Sequence, residues 1–129
     1  MAVYVNILGE KYTIEIKKYS DDKDFEKLNC DGYCDSVLKK ISICDMHTFP
    51  GFDNASEKLI ILEEKHILRH ELVHAFLNES GLRGSALNYS GAWALNEEMI
   101  DWFATQGGRI YKSWSEAEKA LFGDKLWKV

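Results

Sequence analysis

Residues 70–74 combine two histidines and a glutamate at a spacing that could bind a metal ion. They are His70-Glu71-Leu72-Val73-His74 and follow the pattern H-E-x-x-H. On a helix, His70 and His74 lie one turn apart on one face, close enough for two imidazole nitrogens to bind one Zn²⁺. Glu71 is rotated by about 100° from His70, which suits a base acting on water at the metal rather than a ligand. The residues therefore predict a hydrolytic zinc site.

The neighbouring residues predict the helix that this motif requires. Between Glu64 and Gly81 apolar residues recur at helical spacing, and glycine is typical of the position that follows a helix C-terminus. The preceding run, Lys58 to Leu62, is apolar and β-branched enough to predict a buried strand. We expect this strand to border the cleft, where an extended substrate would pair with it.

Two histidines leave a catalytic zinc one protein ligand short, because such sites usually take three and keep the fourth position for water. A second predicted helix, from about Ala92 to Gln106 and ended by Gly107-Gly108, carries Glu97, Glu98 and Asp101. Helical spacing does not distinguish Glu97 from Glu98 as the ligand. Asp101, one turn further on, is placed to accept the free ring N–H of a ligand histidine and to fix its orientation.

The two motifs together resemble the gluzincins, zinc metallopeptidases in which H-E-x-x-H is followed on a later helix by N-E-x-x-x-D or E-x-x-x-[DN]. Asn96-Glu97 and Asp101 match that pattern in order. Residues 97–104, Glu-Glu-Met-Ile-Asp-Trp-Phe-Ala, are most similar to the E-E-x-x-[ND]-x-F-A segment of small ImmA/IrrE-type metallopeptidases of phages, mobile elements and bacterial chromosomes. The resemblance covers roughly residues 58–106. It favours Glu97 over Glu98 and implies one Zn²⁺ per chain, held by His70, His74 and Glu97, with selective cleavage of a cytosolic protein.

Further residues near the motif have no assigned role from spacing alone. His66 shares a helix face with His70 but lies about 12 Å along the axis from His74, too far to share one ion easily. We expect it to line the cleft mouth or cap the helix, and a role toward substrate stays open. Three further side chains could donate a hydrogen bond to the oxyanion that forms during hydrolysis, and their spacing does not identify which one does so: Tyr89, Arg109 and Tyr111.

Three cysteines and a histidine offer a second metal-binding hypothesis. Cys30, Cys34, Cys44 and His47 have the residue types of a structural zinc site. The alternative is that the cysteines are small buried apolar side chains in a hairpin. The spacing Cys30-x-x-x-Cys34 is looser than the common C-x-x-C knuckle, so it favours the second interpretation without excluding the first.

Composition and charge limit the class of protein. A chain of 129 residues with 46% hydrophobic residues suits one domain, residues 1–129, with a single core. A net charge of −5 without a basic block argues against unassisted binding to nucleic acid. The N-terminus lacks signal-peptide features, no apolar run approaches a membrane span, and an odd number of cysteines fits a reducing compartment. We expect a cytoplasmic protein with a protein or peptide substrate, and oligomeric state stays open.

The periodicity of the remaining sequence predicts an α+β fold. Alternating apolar residues predict a hairpin from Val3 to Ile16 and a second one from Gly32 to Cys44, with a short helix from Ser20 to about Leu28 between them. A capping-box pattern predicts a separate short helix from Ser115 to Phe122. With the resemblance, we expect a zincin-like arrangement: a small, mostly antiparallel, twisted sheet of four or five strands packed on the H-E-x-x-H helix, and a second helix carrying Glu97.

These expectations combine into one function and its rivals. The predicted activity is zinc-dependent hydrolysis of a peptide bond, with Glu71 moving the proton from water to the leaving nitrogen. The alternative is a zinc-stabilised domain that binds a protein partner without hydrolysis, although a purely structural site has no use for a base beside the metal. A metal-free interaction domain would require the whole set of residues to be accidental.

Overall fold

The computed structural model describes residues 2–82 and 93–123. These residues form an α+β structure whose elements, in chain order, are β1 (Ala2–Ile7), β2 (Glu10–Lys17), α1 (Lys23–Lys27), β3 (Gly32–Asp35), β4 (Lys40–Cys44), α2 (Glu57–Glu79) and α3 (Glu97–Phe122). Short 3-10 turns at Tyr19–Asp21 and Trp93–Leu95 precede α1 and α3. In these ranges no helix is both long and apolar enough to span a membrane.

The four described strands form one mixed sheet in the order β1-β2-β4-β3. Both predicted hairpins are confirmed, since β1 pairs antiparallel with β2 and β3 pairs antiparallel with β4. The first hairpin turns at Leu8 and Gly9, whose positive φ angles of 50° and 93° are those of a two-residue type I′ turn. The two hairpins join through a parallel pairing of β2 with β4. This order leaves β3 at an edge of the sheet.

The main core lies between the sheet and α2. Alternate residues of β2, Tyr12 and Ile14, are buried, as are Ile41 and Ile43 of β4. They belong to one cluster with three residues that recur along α2: Ile60, Ile67 and Ala75. Burial of these apolar side chains is the main force that holds α2 on the sheet, and each buried isoleucine contributes about 1.5–3 kcal/mol.

A polar network fixes the C-terminal end of α2 to the sheet. Glu79 Oε1 accepts hydrogen bonds from the Tyr12 hydroxyl at 2.6 Å and from Lys39 Nζ at 2.7 Å. Burial, together with this contact to Glu79, raises the pKa of Tyr12 well above its ordinary value, so the hydroxyl remains a donor. The last turn of α2 is therefore held by charged hydrogen bonds as well as by apolar contacts.

A second network fixes α1 and β3 to each other. Asp22, the N-cap of α1, accepts hydrogen bonds from the backbone N–H of Asp24 at 3.0 Å, from Lys17 Nζ at 3.0 Å and from the Tyr33 hydroxyl. Phe25 packs its ring against Tyr33 in an edge-on contact, with centroids 5.8 Å apart. Together these contacts hold the segment that connects α1 to β3 in place.

The predicted strand at Lys58 to Leu62 is wrong, because these residues form the first turns of α2. Ser56 caps the helix, and its Oγ accepts a hydrogen bond from the N–H of Leu59 at 3.2 Å. Only Ile60 of the run is buried, and the next buried isoleucine on the same face, Ile67, lies two helical turns later. A short apolar run is equally consistent with a strand or a helix, and here the cap decides between them. The fifth strand of the expected sheet therefore does not exist at this position.

The predicted end of the second helix at Gly107-Gly108 is also wrong, since α3 continues through both glycines to Phe122. A glycine that ends a helix usually adopts a positive φ, as Gly81 and Gly123 do at 86° and 61°, whereas Gly107 and Gly108 do not. The separate helix predicted from Ser115 is the last part of the same α3. At the other end, α3 begins at Glu97 because Asn96 Oδ1 accepts a hydrogen bond from the N–H of Met99 at 2.8 Å.

Candidate metal site

The histidines of the H-E-x-x-H motif lie one turn apart on α2 and face the first turn of α3. Their ring centroids are 5.0 Å apart. Glu97 reaches both rings, with Oε2 at 2.9 Å from His70 Nε2 and Oε1 at 3.3 Å from His74 Nε2. The carboxylate of Glu97 on α3 therefore presents one oxygen to each of the two imidazole rings on α2.

The position of Glu97 follows from where α3 begins. Asn96 caps the helix, so Glu97 is its first residue and lies against α2. Glu98 is exposed and does not line the cleft that contains the histidines. The structure thus separates two carboxylates that helical spacing left equivalent.

Glu71 lies on the inner side of α2, between the metal-binding face and the sheet. Its side chain is buried, with the residue only 5% exposed, and among the described residues Oε2 has no hydrogen-bond partner. Burial raises the pKa of Glu71 to about 7; His70 opposes this rise, while Glu97 and Asp31 add to it. A carboxyl group with a pKa near neutrality can both accept and release a proton.

Gly32 of β3 permits this burial, and the sequence interpretation missed it. A Cβ at this position would lie 2.4 Å from Cγ2 of Ile67, 3.2 Å from the carbonyl oxygen of Ser42 and 3.7 Å from Cγ of Glu71. Only glycine lets the strand approach α2 so closely. An isolated glycine at a strand position is the signal that could have indicated such an approach.

Asp101 contacts the histidine ring on the side away from Glu97. Its Oδ1 lies 3.3 Å from His70 Nδ1, the contact that the spacing predicted. The same oxygen lies 2.6 Å from Nε2 of His66. Burial alone would raise the pKa of Asp101, but the hydrogen bonds from His66 and then His70 outweigh it and leave that pKa lowered. The partnership of His66 with Asp101 was not predicted, because sequence spacing places His66 on a helix face without naming what faces it.

The metal-binding residues line a cleft of about 660 Å³. One wall consists of residues 28–34, including the start of β3, and the others come from α2 and the start of α3. In the described sheet, β3 pairs with β4 on one side only. The strand beside the cleft is therefore β3 rather than residues 58–62.

The second hypothesis, a zinc site on three cysteines and His47, finds no support in the arrangement of these residues. The described histidines, cysteines and carboxylates include no cluster of three possible ligands that contains a cysteine. Cys44 is buried in the core, where burial raises the pKa of its thiol to about 11. A thiol that resists ionisation is a poor metal ligand, so Cys44 fits the alternative of a small buried side chain.

His47 instead belongs to a cluster of carboxylates at the start of α2. Its Nδ1 lies 2.7 Å from Asp45 Oδ1, and its Nε2 lies 2.9 Å from Glu57 Oε1. Hydrogen bonds to Glu57 and Asp45 raise the pKa of His47 to about 9. Glu64, close to this pair, accepts the N–H of Met46 at 2.9 Å. One possible ligand atom from each of Asp45, His47 and Glu64 lies within 4.8 Å of the others, but the raised pKa favours the protonated imidazole, which pairs with carboxylates and does not bind a metal ion.

The two candidate oxyanion donors that the structure describes do not line the cleft. Arg109 and Tyr111 lie on α3 beyond Gly108; both are exposed, and neither lines the cleft. Tyr89 lies outside the described residues. His66, for which a role toward substrate was left open, does line the cleft.

Comparisons of this chain with models of protein families, with curated proteins and with solved structures found no match.

Proposed function

We propose that this chain is a zinc-dependent peptidase that hydrolyses a peptide bond in a cytoplasmic protein. The observation that carries the proposal is the position of Glu97, whose two carboxylate oxygens face Nε2 of His70 and Nε2 of His74 at 2.9 Å and 3.3 Å. The resemblance of the two motifs to gluzincins supports the same conclusion from the sequence.

The residues at this point suit zinc. His70, His74 and Glu97 would hold the ion, and two imidazoles with one carboxylate are a donor set common in catalytic zinc sites. The buried, unpartnered Oε2 of Glu71 supports a further polar species in the cleft, because a buried carboxylate oxygen without a partner costs free energy. When bound, zinc supplies a Lewis acid that makes a water molecule more acidic and polarises a carbonyl group.

Glu71 would carry the proton in this reaction. Its carboxyl lies beside the histidines, with one possible ligand atom from each of His70, Glu71 and His74 within 4.8 Å of one another. A carboxylate at this position could accept a proton from water and then deliver it to the leaving nitrogen. Because Glu71 is only 5% exposed, its carboxyl would be shielded from bulk water during this transfer.

The substrate would bind as an extended peptide along β3. This strand borders the cleft and pairs with only one described strand, so the backbone groups on its other edge can bond to an added strand. Such pairing would place a peptide carbonyl over the metal-binding residues. The rival, a structural zinc site, is disfavoured because structural sites are closed by four protein ligands, whereas this one opens to a cleft.

A Glu71→Gln variant tests the proposal. Glutamine has the same size but cannot act as a base, so the variant should bind about one zinc per chain and cut peptides about 100-fold more slowly or worse. Zinc-loaded wild type and variant are incubated with a cell extract, and new protein N-termini are identified by mass spectrometry. N-termini that appear only with wild type support the proposal. Identical sets from the two proteins would contradict the role of Glu71, and absence of bound zinc from wild type would contradict the metal site.

A further inference from the structure

A single carboxylate oxygen of Asp101 contacts ring nitrogens of two histidines on α2. Oδ1 lies 2.6 Å from His66 Nε2 and 3.3 Å from His70 Nδ1. A carboxylate oxygen has two lone pairs, so it can accept both hydrogen bonds at once. His66 makes the shorter contact, although it lies one turn away from the metal-binding pair.

The contacts between α2 and α3 at the cleft are stacked in two levels. At one level His70 faces Glu97, and at the next His66 faces Asp101. The contact of His70 Nδ1 with Asp101 connects the levels. His66 is therefore linked by hydrogen bonds through Asp101 to His70 and Glu97, although it does not itself contact Glu97.

The contact between His66 and Asp101 is poorly suited to stabilising the fold. The two side chains are 41% and 51% exposed, and exposed ion pairs typically contribute about 0–1 kcal/mol. Without His66, however, Asp101 would keep only the longer contact with His70 Nδ1, and its exposed side chain would populate other rotamers that move Oδ1 away from His70. The effect of the contact is therefore orientation of Asp101.

We propose that His66 is a positioning residue of the metal site: it holds Asp101 so that Oδ1 fixes the ring of His70 with Nε2 directed toward Glu97. A ligand imidazole whose other nitrogen donates to a carboxylate is better oriented and more basic, and loss of such a partner typically lowers metal affinity about 10–100-fold. This inference rests on the proposed zinc site. It assigns His66 no contact with the reacting atoms.

Zinc affinity measured by competition with a chelator tests this in four proteins: wild type, His66→Ala, Asp101→Asn and the double variant. His66→Ala should weaken zinc binding about 3–30-fold, in the range of coupling between residues that share one hydrogen-bond network. In the Asp101→Asn background the same substitution should have no further effect, because the carboxylate that His66 orients is gone. His66→Gln, which keeps an N–H donor, should recover part of the affinity.

His47→Ala is the matched control. His47 is also an exposed histidine that contacts carboxylates, but its partners are Asp45 and Glu57, and it does not line the cleft. It should leave zinc affinity unchanged. Circular dichroism establishes that each variant is folded, and both histidines are exposed enough for alanine to be accommodated.

Two results would overturn the inference. His66→Ala could leave zinc affinity unchanged, and a lower rate of cleavage with unchanged affinity would assign His66 to the substrate. It could instead lower zinc affinity equally with and without the Asp101 carboxylate, which would show that His66 acts independently of Asp101. In these cases wild type still binds zinc, so the proposed function stands. Failure of wild type to bind zinc would instead overturn the proposed metal site, and this inference with it.

Discussion

The backbone of Gly32 occupies the space that a side chain would need against Ile67: a Cβ there would lie 2.4 Å from Cγ2 of Ile67. Ile67 is buried one turn before Glu71 on the inner side of α2. The approach of β3 to α2 at this point sets both the depth at which Glu71 is buried and the width of the cleft.

Gly32→Ala should destabilise the protein by about 1–3 kcal/mol, because an added methyl in a filled space forces neighbouring groups to move. Urea denaturation measures the change. Gly107→Ala is the control, since a Cβ there meets nothing within 4 Å and the residue lies inside α3. Alanine is favoured over glycine in helices by about 1 kcal/mol, so the control should be neutral or stabilising. Equal destabilisation by both substitutions would contradict the tight contact at Gly32.

The ligand assignment predicts a contrast between adjacent carboxylates. Glu97→Ala should sharply weaken zinc binding in a chelator competition, as should His70→Ala and His74→Ala, because each removes one of three converging donors. Glu98→Ala should retain the affinity of wild type. If Glu98→Ala loses zinc and Glu97→Ala retains it, the carboxylate ligand is Glu98 and not Glu97.

Asp22 predicts a pH-dependent contribution to stability. Burial alone would raise the pKa of Asp22, but hydrogen bonds from Tyr33, Lys17 and the backbone of Asp24 outweigh it, so the pKa in the folded protein is lowered. The folded state therefore favours the ionised carboxylate, and its contribution is fully present above the unfolded pKa of about 3.9. It is lost as the pH falls through the lowered folded value.

Asp22→Asn should consequently cost about 1.5–3 kcal/mol at pH 7, the range for hydrogen bonds to a charged group. The difference from wild type should shrink as the pH is reduced toward about 3 in a series of urea titrations. Asp53→Asn, at an exposed position, is the control and should differ little from wild type at pH 7. A difference for Asp22→Asn that stays constant with pH would contradict the preference for the ionised form.

The start of α2 at Glu57 predicts that Ser56 stabilises the helix as its N-cap. Ser56→Ala should cost about 1 kcal/mol, because it leaves the N–H of Leu59 without its side-chain acceptor. Ser113→Ala, at an exposed position inside α3, should be neutral or slightly stabilising since alanine is the better helix former. If Ser56→Ala does not lower the stability, Ser56 does not act as a helix cap, and residues 58–62 could again be interpreted as a strand.

The sequence by itself determined the elements whose signals are local. Both hairpins follow from alternation on either side of short turns, and the helix that carries His70 and His74 follows from its apolar period and from Gly81. The same local reasoning was wrong at residues 58–62 and at Gly107-Gly108. A short apolar run and an isolated glycine pair are each consistent with two structures, and neighbours in the sequence do not choose between them.

Only the tertiary structure decided which side chains meet across elements. Three contacts depend on how α3 and the sheet are rotated against α2. They are the contact of Glu97 with both histidines, which the resemblance favoured but helical spacing did not distinguish from Glu98, the contact of His66 with Asp101, and the position of β3 beside the cleft. Residues one position apart on a helix differ in direction by about 100°, so a small rotation exchanges one carboxylate for its neighbour. That rotation is set by packing between segments distant in the chain, and no local pattern encodes it.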